Sequence, residues 1–404
     1  VSPSAVRRLG LVLSCCAALA AAESWPEFRG PSGQGHSSVE SAPVRWSESE
    51  NVRWKTALSG QGWSSPAILD GKIWITTADA QGLSLRALAF DLESGALLHA
   101  TEVFEREAPA QMHQKNTHAS PTPLLEDDRV YVHFGPLGTA ALDGSGEVLW
   151  RNQEHPYRPG HGGGGSPVLA GDLLIYSADG TDRQAMIALR KDTGETAWRT
   201  ERGSRMAFST PLALEHEGRA QVVSTGGNQA AAYDPATGKE LWRVAYDGFS
   251  LVPRPVYADG LVYLTTGFHG PEMLAIRPDG SGDVTKSHVV WRASRGVPLT
   301  PSPLWVDGVL YMVSDRGIAS ALDAATGKQL WQARLGGAFS ASPVLAAGRL
   351  YFTNEEGETT VVAPGRKYEE LAKNRLDGRT LASPAVVEGA LIIRTDRALY
   401  RIDE

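Results

Sequence analysis

Ala232-Tyr-Asp-Pro-Ala-Thr-Gly-Lys-Glu-Leu-Trp242 and Ala321-Leu-Asp-Ala-Ala-Thr-Gly-Lys-Gln-Leu-Trp331 are two copies of one pattern. A short apolar run meets an Asp and a Thr-Gly, which together make a tight turn, and a second run ends on Trp. Ala188 to Trp198 and Ala141 to Trp150 are variants, the latter one residue shorter. Ala275 to Trp291 carries an insertion, and Ala89 to His99 has His where the Trp stands. A large ring at a fixed place on an outer strand can cover the joint between repeated units. Trp150, Trp198, Trp242, Trp291 and Trp331 are assigned that role.

Upstream of each copy a Pro follows a small or polar residue: Ser65-Pro66, Ser120-Pro121, Ser166-Pro167, Thr210-Pro211, Arg254-Pro255, Ser302-Pro303, Ser342-Pro343 and Ser383-Pro384. Successive prolines lie 55, 46, 44, 44, 48, 40 and 41 residues apart, the length of one four-stranded propeller blade. Each Pro opens an apolar run, a Gly-containing turn and a second run. In Ala67-Ile68-Leu69, Asp70-Gly71, Lys72-Ile73-Trp74-Ile75 the Asp-Gly is a hairpin signal, because Gly tolerates positive φ.

The last unit, from Ser383, stops at Glu404 without its Trp-bearing strand. Asn51-Val52-Arg53-Trp54-Lys55-Thr56 is such a strand with no unit before it. Pairing the two completes an eighth blade, makes Trp54 a sixth joint, and leaves no open sheet edge. The expected fold is all-β: an eight-bladed propeller of four-stranded antiparallel blades, closed by the N-terminal strand on the C-terminal blade. It occupies residues 51–404, after an arm at 23–50.

The 404 residues are 42% hydrophobic and 21% charged, a soluble globular balance, and the 43 Gly and 24 Pro suit many turns. The 39 basic and 46 acidic residues give a net charge of −7, or −9 without Arg7 and Arg8. An acidic surface argues against nucleic acid and anionic lipid as partners. Arg7-Arg8 and the apolar run Leu9 to Ala22, ending in Ala20-Ala21-Ala22, read as a secretory signal cleaved after residue 22. The run is too short for a resident membrane span. A lipoprotein cut before Cys15 is the rival reading, on the loose match Val12-Leu13-Ser14-Cys15. Either way the expected place is the periplasm or beyond. Cys15 and Cys16 are the chain's two cysteines, so none remains after cleavage at residue 22.

The Ala-x-Asp-x-x-Thr-Gly-Lys-x-x-Trp signature resembles the tryptophan-docking repeat of the PQQ-like (quinoprotein) propellers, over residues 51–404. That superfamily includes PQQ-dependent alcohol dehydrogenases and the propeller lipoprotein of the outer-membrane β-barrel assembly machinery, the BamB type. The opening Trp25-Pro-Glu-Phe-Arg-Gly-Pro31 resembles secreted members carrying the same repeat. The motif packs blades and carries no chemistry of its own.

If each Pro starts an inner strand, the regular hairpins share one face, and the variable linkers before each Pro share the other. The variable face is the candidate binding face. It gathers Trp63, His113, Lys115, Asn116, His118, His161, Arg254, His269, Asp315, Arg316, Glu355 and Arg379. Gln111 to His118 is dense in hydrogen-bonding groups, and Arg254 stands where other units have Ser or Thr, which would put a charge at the channel mouth. Inter-blade hydrogen bonds and loop salt bridges are the alternative use of these residues.

Enzymatic chemistries fit poorly. The dehydrogenases that the resemblance brings in use a vicinal disulfide above the quinone, a Glu/Asn/Asp calcium cluster and a catalytic Asp. Cys15-Cys16 lies in the leader, and the calcium ligands and base map onto no motif here. His113, His118 and His161 lack an acid or cysteine to complete a metal set. His161-Gly162-Gly163-Gly164 echoes an esterase oxyanion loop, but no Gly-x-Ser-x-Gly elbow accompanies it. The expectation is an exported, monomeric, non-catalytic binding or scaffolding protein, without cofactor. It would serve cell-envelope assembly and take an envelope protein, peptide or polar small molecule. The alternative is an oxidoreductase that uses the channel with PQQ and calcium.

Overall fold

A computed structural model describes residues 24–404; the leader with its cleavage site and Cys15 lie outside the described residues. Eight antiparallel sheets follow one another along the chain. Seven are made in sequence order, at 67–105, 124–152, 168–201, 212–245, 256–293, 304–334 and 344–375 (blades 1 to 7). Blade 8 takes three strands from 385–402 and its outermost strand from Val52–Ala57. That strand pairs with Ala398–Ile402, Val52 opposite Ile402 and Ala57 opposite Ala398. The propeller is therefore closed by its own two ends. The short strands that open each blade, three residues long except for Leu212–His216 in blade 4, are innermost, and those of blades 1 and 2, 3 and 4, 5 and 6, and 8 and 1 touch around the axis.

The apolar clusters lie between blades rather than within them. One joins Val223, Ala232 and Trp242 of blade 4 to Val262, Leu264 and Ile276 of blade 5; another joins Tyr131 and Trp150 of blade 2 to Leu174 and Ile187 of blade 3. A single sheet buries neither face alone, so stability is a property of neighbouring pairs.

A β-bulge beside the Trp position recurs in all eight blades. The extra residue twists the outer strand and turns the ring toward the next blade. It also explains why Leu98, Leu149 and Val290 are exposed: each is the bulged residue. The indole N–H of Trp54, Trp150, Trp198, Trp291 and Trp331 donates to a carbonyl of the following blade at 2.9–3.0 Å. The rings of Trp54, Trp150, Trp198 and Trp291 each lie on a glycine of that blade's turn, Gly95, Gly194, Gly238 and Gly327. At Gly238, with φ +70°, a Cβ would sit 2.5 Å from the Trp198 ring, so this position must be Gly.

Three joints depart from the pattern. Trp242 reaches its neighbour through a relay: its indole donates to Gln221 Oε1 at 2.7 Å, and Gln221 Nε2 donates to the Pro278 carbonyl at 3.0 Å. The insertion in blade 5 causes this, since Gly282-Asp283 pairs in parallel with Trp242-Arg243 and seals the indole completely. In blade 1, His99 stacks on Trp74 with ring centroids 6.2 Å apart. In blade 7, Ala372 occupies the Trp position opposite Val361. There the arm supplies Trp46, stacked on Tyr351 at 6.4 Å, much as Trp150 meets Tyr131 at 6.3 Å and Trp331 meets Tyr311 at 6.0 Å.

The arm also crosses the axis. Trp25 exchanges backbone hydrogen bonds with Ile68 of blade 1, and Leu125 N–H donates to the Pro26 carbonyl. The Gln34 amide exchanges two bonds with the Tyr257 backbone, and Leu345 is bracketed by the Gly35 carbonyl and the Ser37 N–H. Residues 25–37 thus tie inner strands of blades 1, 2, 5 and 7, and close the channel on the hairpin side.

Three outcomes are expected. Trp242→Ala should cost about 3–5 kcal/mol, and Gln221→Ala about 1–3 kcal/mol, read by equilibrium urea unfolding; a loss below about 1 kcal/mol for Trp242→Ala would contradict its packing role. Deleting residues 51–58 should abolish the cooperative melt, and a truncated chain that melts like the parent would refute the closure.

Candidate functional site

Above the arm the axial channel opens into a funnel of about 540 Å³, lined from the segments before each inner strand. These segments are extended, so alternate residues face the axis. The residue immediately before the blade Pro forms the lower ring: Ser65, Thr122, Ser166, Thr210, Ser302, Ser342 and Ser383, with Arg254 as the eighth position. The residue two places earlier forms the upper ring: Trp63, Ser120, Gly164, Phe208, Val252, Thr300, Ser340 and Leu381, all of which line the cavity.

The lower ring is a circle of hydrogen bonds. Ser65 N–H donates to Thr122 Oγ1, Thr122 N–H to Ser166 Oγ, and Ser166 N–H to Thr210 Oγ1, at 2.9–3.0 Å. It resumes from Arg254 N–H to Ser302 Oγ, then Ser342, Ser383 and back to Ser65, again at 2.9–3.0 Å. The circle breaks once, between Thr210 and Arg254, because an arginine offers no hydroxyl there. It also corrects the repeat: the ring residue of blade 2 is Thr122, before Pro123, and Ser120 belongs to the upper ring.

Trp63, Asn116, His161, His269 and Asp315 line the funnel, together with His113 and Lys115 at its rim. The rings of His113 and His161 meet edge-on at 5.3 Å, His161 stacks on Phe208 at 5.7 Å, and His269 stacks on Phe249 at 5.4 Å. Burial and the neighbouring His113 hold the His161 pKa down. Asp315 Oδ2 accepts from the backbone N–H groups of Leu299, at 2.7 Å, and Thr300. The loop carrying His113, Lys115 and Asn116 straps the mouth. Asn116 Nδ2 donates to the carbonyls of His161 and Gly163, both at 2.9 Å. On the other side Lys115 Nζ reaches Glu355 Oε1 of blade 7 at 2.8 Å.

Glu355 is an anchor behind the rim rather than a lining residue: it also accepts from Ser340 Oγ at 2.7 Å and lies 3.6 Å from Arg379. Burial would raise its carboxyl, but Lys115, Ser340 and Arg379 outweigh that and hold it below the ordinary value. Arg316 and Arg379 are exposed outside the lining. His118 is buried against Gly82, its pKa lowered by burial and by Arg106, so it cannot meet a ligand in the funnel.

Arg254 is the larger departure. Its side chain is buried and points away from the mouth, into the arm. Nη1 donates to the Phe28 carbonyl at 2.6 Å, Nη2 to Glu27 at 3.1 Å, and Nε to the Pro211 carbonyl at 3.1 Å. Beside it Arg29 is fully buried, its pKa pushed down to about 9 by burial and by Arg254. The glycine run at 162–165 lets its loop pass close to blade 2: a Cβ on Gly163 would lie 3.0 Å from the Gly135 Cα.

The apolar lining went unread in the sequence. Phe28 of the arm forms part of the lining, and Phe208, Val252, Phe249, Phe268, Leu299 and Leu381 make much of the wall. The signal for Phe208, Val252 and Leu381 was available, as the alternation that runs two residues upstream of the ring position. The loop phenylalanines and Phe28 have no such marker.

Among curated proteins, the chain is 27% identical over 146 residues to methanol dehydrogenase [cytochrome c] subunit 1 of Methylobacterium organophilum. The match takes 31% of this chain and spans only 23% of that relative. Among solved structures, BamB from Moraxella catarrhalis superposes with a TM-score of 0.59 at 13% identity, over 87% of this chain and 99% of that one. A europium-containing methanol dehydrogenase superposes with a TM-score of 0.70 at 11% identity, over 93% and 90%. At such identities the structures share the fold alone. The family model described as outer membrane protein assembly factor BamB matches residues 42–154, 182–286 and 282–365, and the chain belongs to this family of PQQ-like β-propellers.

Proposed function

We propose that the chain is an exported, non-catalytic recognition propeller of the cell envelope, which receives a protein segment or polar ligand at the funnel face. Residues 1–22 are then its secretory signal, 23–50 the arm and 51–404 the working domain. It acts as a monomer in the periplasm or beyond. Lipid anchoring at Cys15 is the variant of this reading.

The observation that carries it is the asymmetry of the two faces. The hairpin side is filled by the arm, whereas the loop side holds a roofed cavity whose rim is rich in hydrogen-bonding groups. A variable, residue-rich face on a rigid ring is where recognition sits. The family description, an outer membrane assembly factor, points to envelope proteins as partners. Among the described residues no helix is long and apolar enough to cross a membrane.

A quinone with calcium finds little to hold it. Asp315 is the one carboxylate among the lining residues, and its Oδ2 already accepts two backbone N–H groups. Among the described residues there is no cysteine, and no group of three or more His, Asp or Glu stands close enough to hold a metal ion. The donor set does not fit the bed that the dehydrogenases use, which favours binding over redox catalysis.

Photo-crosslinkers at Arg379 and Arg316 should yield discrete adducts with an outer-membrane assembly component in living cells, and Lys115→Glu should reduce them. Crosslinkers at Glu217, on a hairpin turn, should yield none. Adducts of equal strength from both faces would sink the assignment. Titration of the purified protein with PQQ and calcium should leave its absorbance unchanged; dye-linked turnover of alcohols or sugars would establish the oxidoreductase instead.

A further inference from the structure

The floor of the funnel is a circle of hydroxyl groups whose protons no protein acceptor takes up among the described residues. Each of the seven ring hydroxyls accepts a backbone N–H from the preceding blade, which takes one lone pair and leaves the proton and the other lone pair free. Among the described residues none of the seven donates to a protein acceptor. Their residues are at most 4% exposed, and all line the cavity. Because the ring lines the cavity, these protons are available to an acceptor that comes down the axis.

The charges beneath the floor choose among acceptors. Arg254 and Arg29 lie buried in the arm layer, faced there by Glu27 alone, whose carboxyl burial pushes up. Arg394 is buried behind the wall, donating to the Ser64 carbonyl and hydroxyl. Against these stands Asp315 on the wall, with Oδ2 taken by two backbone donors. Above the hydroxyls Phe208, Phe249, Phe268, Leu299 and Leu381 make much of the wall apolar, with Ser120, Thr300 and Ser340 set between them.

Resting on the reading that this face is a binding face, we propose that the funnel is a site for an amphipathic acid. Its single terminal carboxylate sits on the hydroxyl ring, and its flexible apolar body lies along the phenylalanine wall. Free hydroxyl protons over buried guanidinium groups favour an oxyanion, and the guanidinium charge repels an ammonium group. Apolar side chains left partly exposed along the wall favour a body that covers them with apolar surface.

The test is calorimetric titration of the whole mature chain with decanoate, decanol and decyltrimethylammonium, each below its micelle concentration. Decanoate should bind at least about tenfold more tightly than decanol, a difference of about 1.4 kcal/mol, and the ammonium should show no saturable binding. Leu381→Glu, which sets an acid on the wall without touching the ring, should weaken decanoate at least about tenfold, while Leu381→Gln stays within about threefold. Arg254→Ser adds an eighth hydroxyl and removes a cation, and should cut the preference for acid over alcohol at least about fivefold. The alcohol affinity and the melt report whether each variant is folded. Equal affinity for acid and alcohol, binding of the ammonium, or a decanoate affinity indifferent to Leu381→Glu would each overturn the proposal. If decanoate fails to bind while the rim crosslinks persist, the recognition reading stands and the acid site alone falls.

Discussion

Val52–Ala57 lying beside Ala398–Ile402 is the pairing on which the molecule depends. Each blade buries its faces only against its neighbours, so an open row would end in two apolar sheet faces and an unpaired edge. Joining the ends converts eight marginal sheets into one closed body. It also sets Trp54 on the turn of blade 1, with its indole on the Leu92 carbonyl at 3.0 Å, so the seam has the same joint as its neighbours. The lower hydroxyl ring crosses the seam too, from Ser383 N–H to Ser65 Oγ.

The arm extends this logic to the places where the repeat is incomplete. Blade 7 has Ala372 at the Trp position, and Trp46 fills the space against Tyr351. Blade 5 has Arg254 where a ring hydroxyl would stand, and the arm meets it with the Phe28 carbonyl and Glu27. Gly33 lies against that guanidinium, which leaves no room for a side chain at this point of the arm. Two apparent defects of the repeat are thus contacts for a segment that precedes it. A buried Arg–Glu pair contributes little net stability beside an apolar alternative, but it fixes where the arm must sit.

Much of this was legible in the residues. The Asp-x-x-Thr-Gly turns, the Trp spacing and the orphan strand at 51–56 depend on local chemistry, and they gave blade count, strand order and closure. The register of blade 2 misled because Ser120-Pro121-Thr122-Pro123 offers the same dipeptide type twice; hydrogen-bond geometry alone selects Thr122. Arg254 was legible as an exception but not in direction. What turns it inward is a carbonyl 226 residues away in sequence, which no local pattern reveals. The joint at Trp242 went through Gln221 for a similar reason, since the covering Gly282-Asp283 comes from an insertion in another blade. The candidate site was read from its polar rim, so its apolar wall was missed, although Phe208 and Leu381 follow the same alternation as Trp63.

The arm also decides what kind of cavity the ring can hold. An eight-bladed ring leaves an axial hole open at both ends, through which water would reach any buried polar group. By spanning the hairpin side with residues 25–37, the arm makes the hole a cup with one mouth. Phe28 lies in its lining, and the strap at 113–118 narrows the opening from above. Within such a cup the dielectric falls and each hydrogen bond counts for more than it would in water. The hydroxyl ring becomes a set of oriented hydroxyls at the closed end of a largely apolar shaft. Selectivity at this site therefore depends on the arm as much as on the blades.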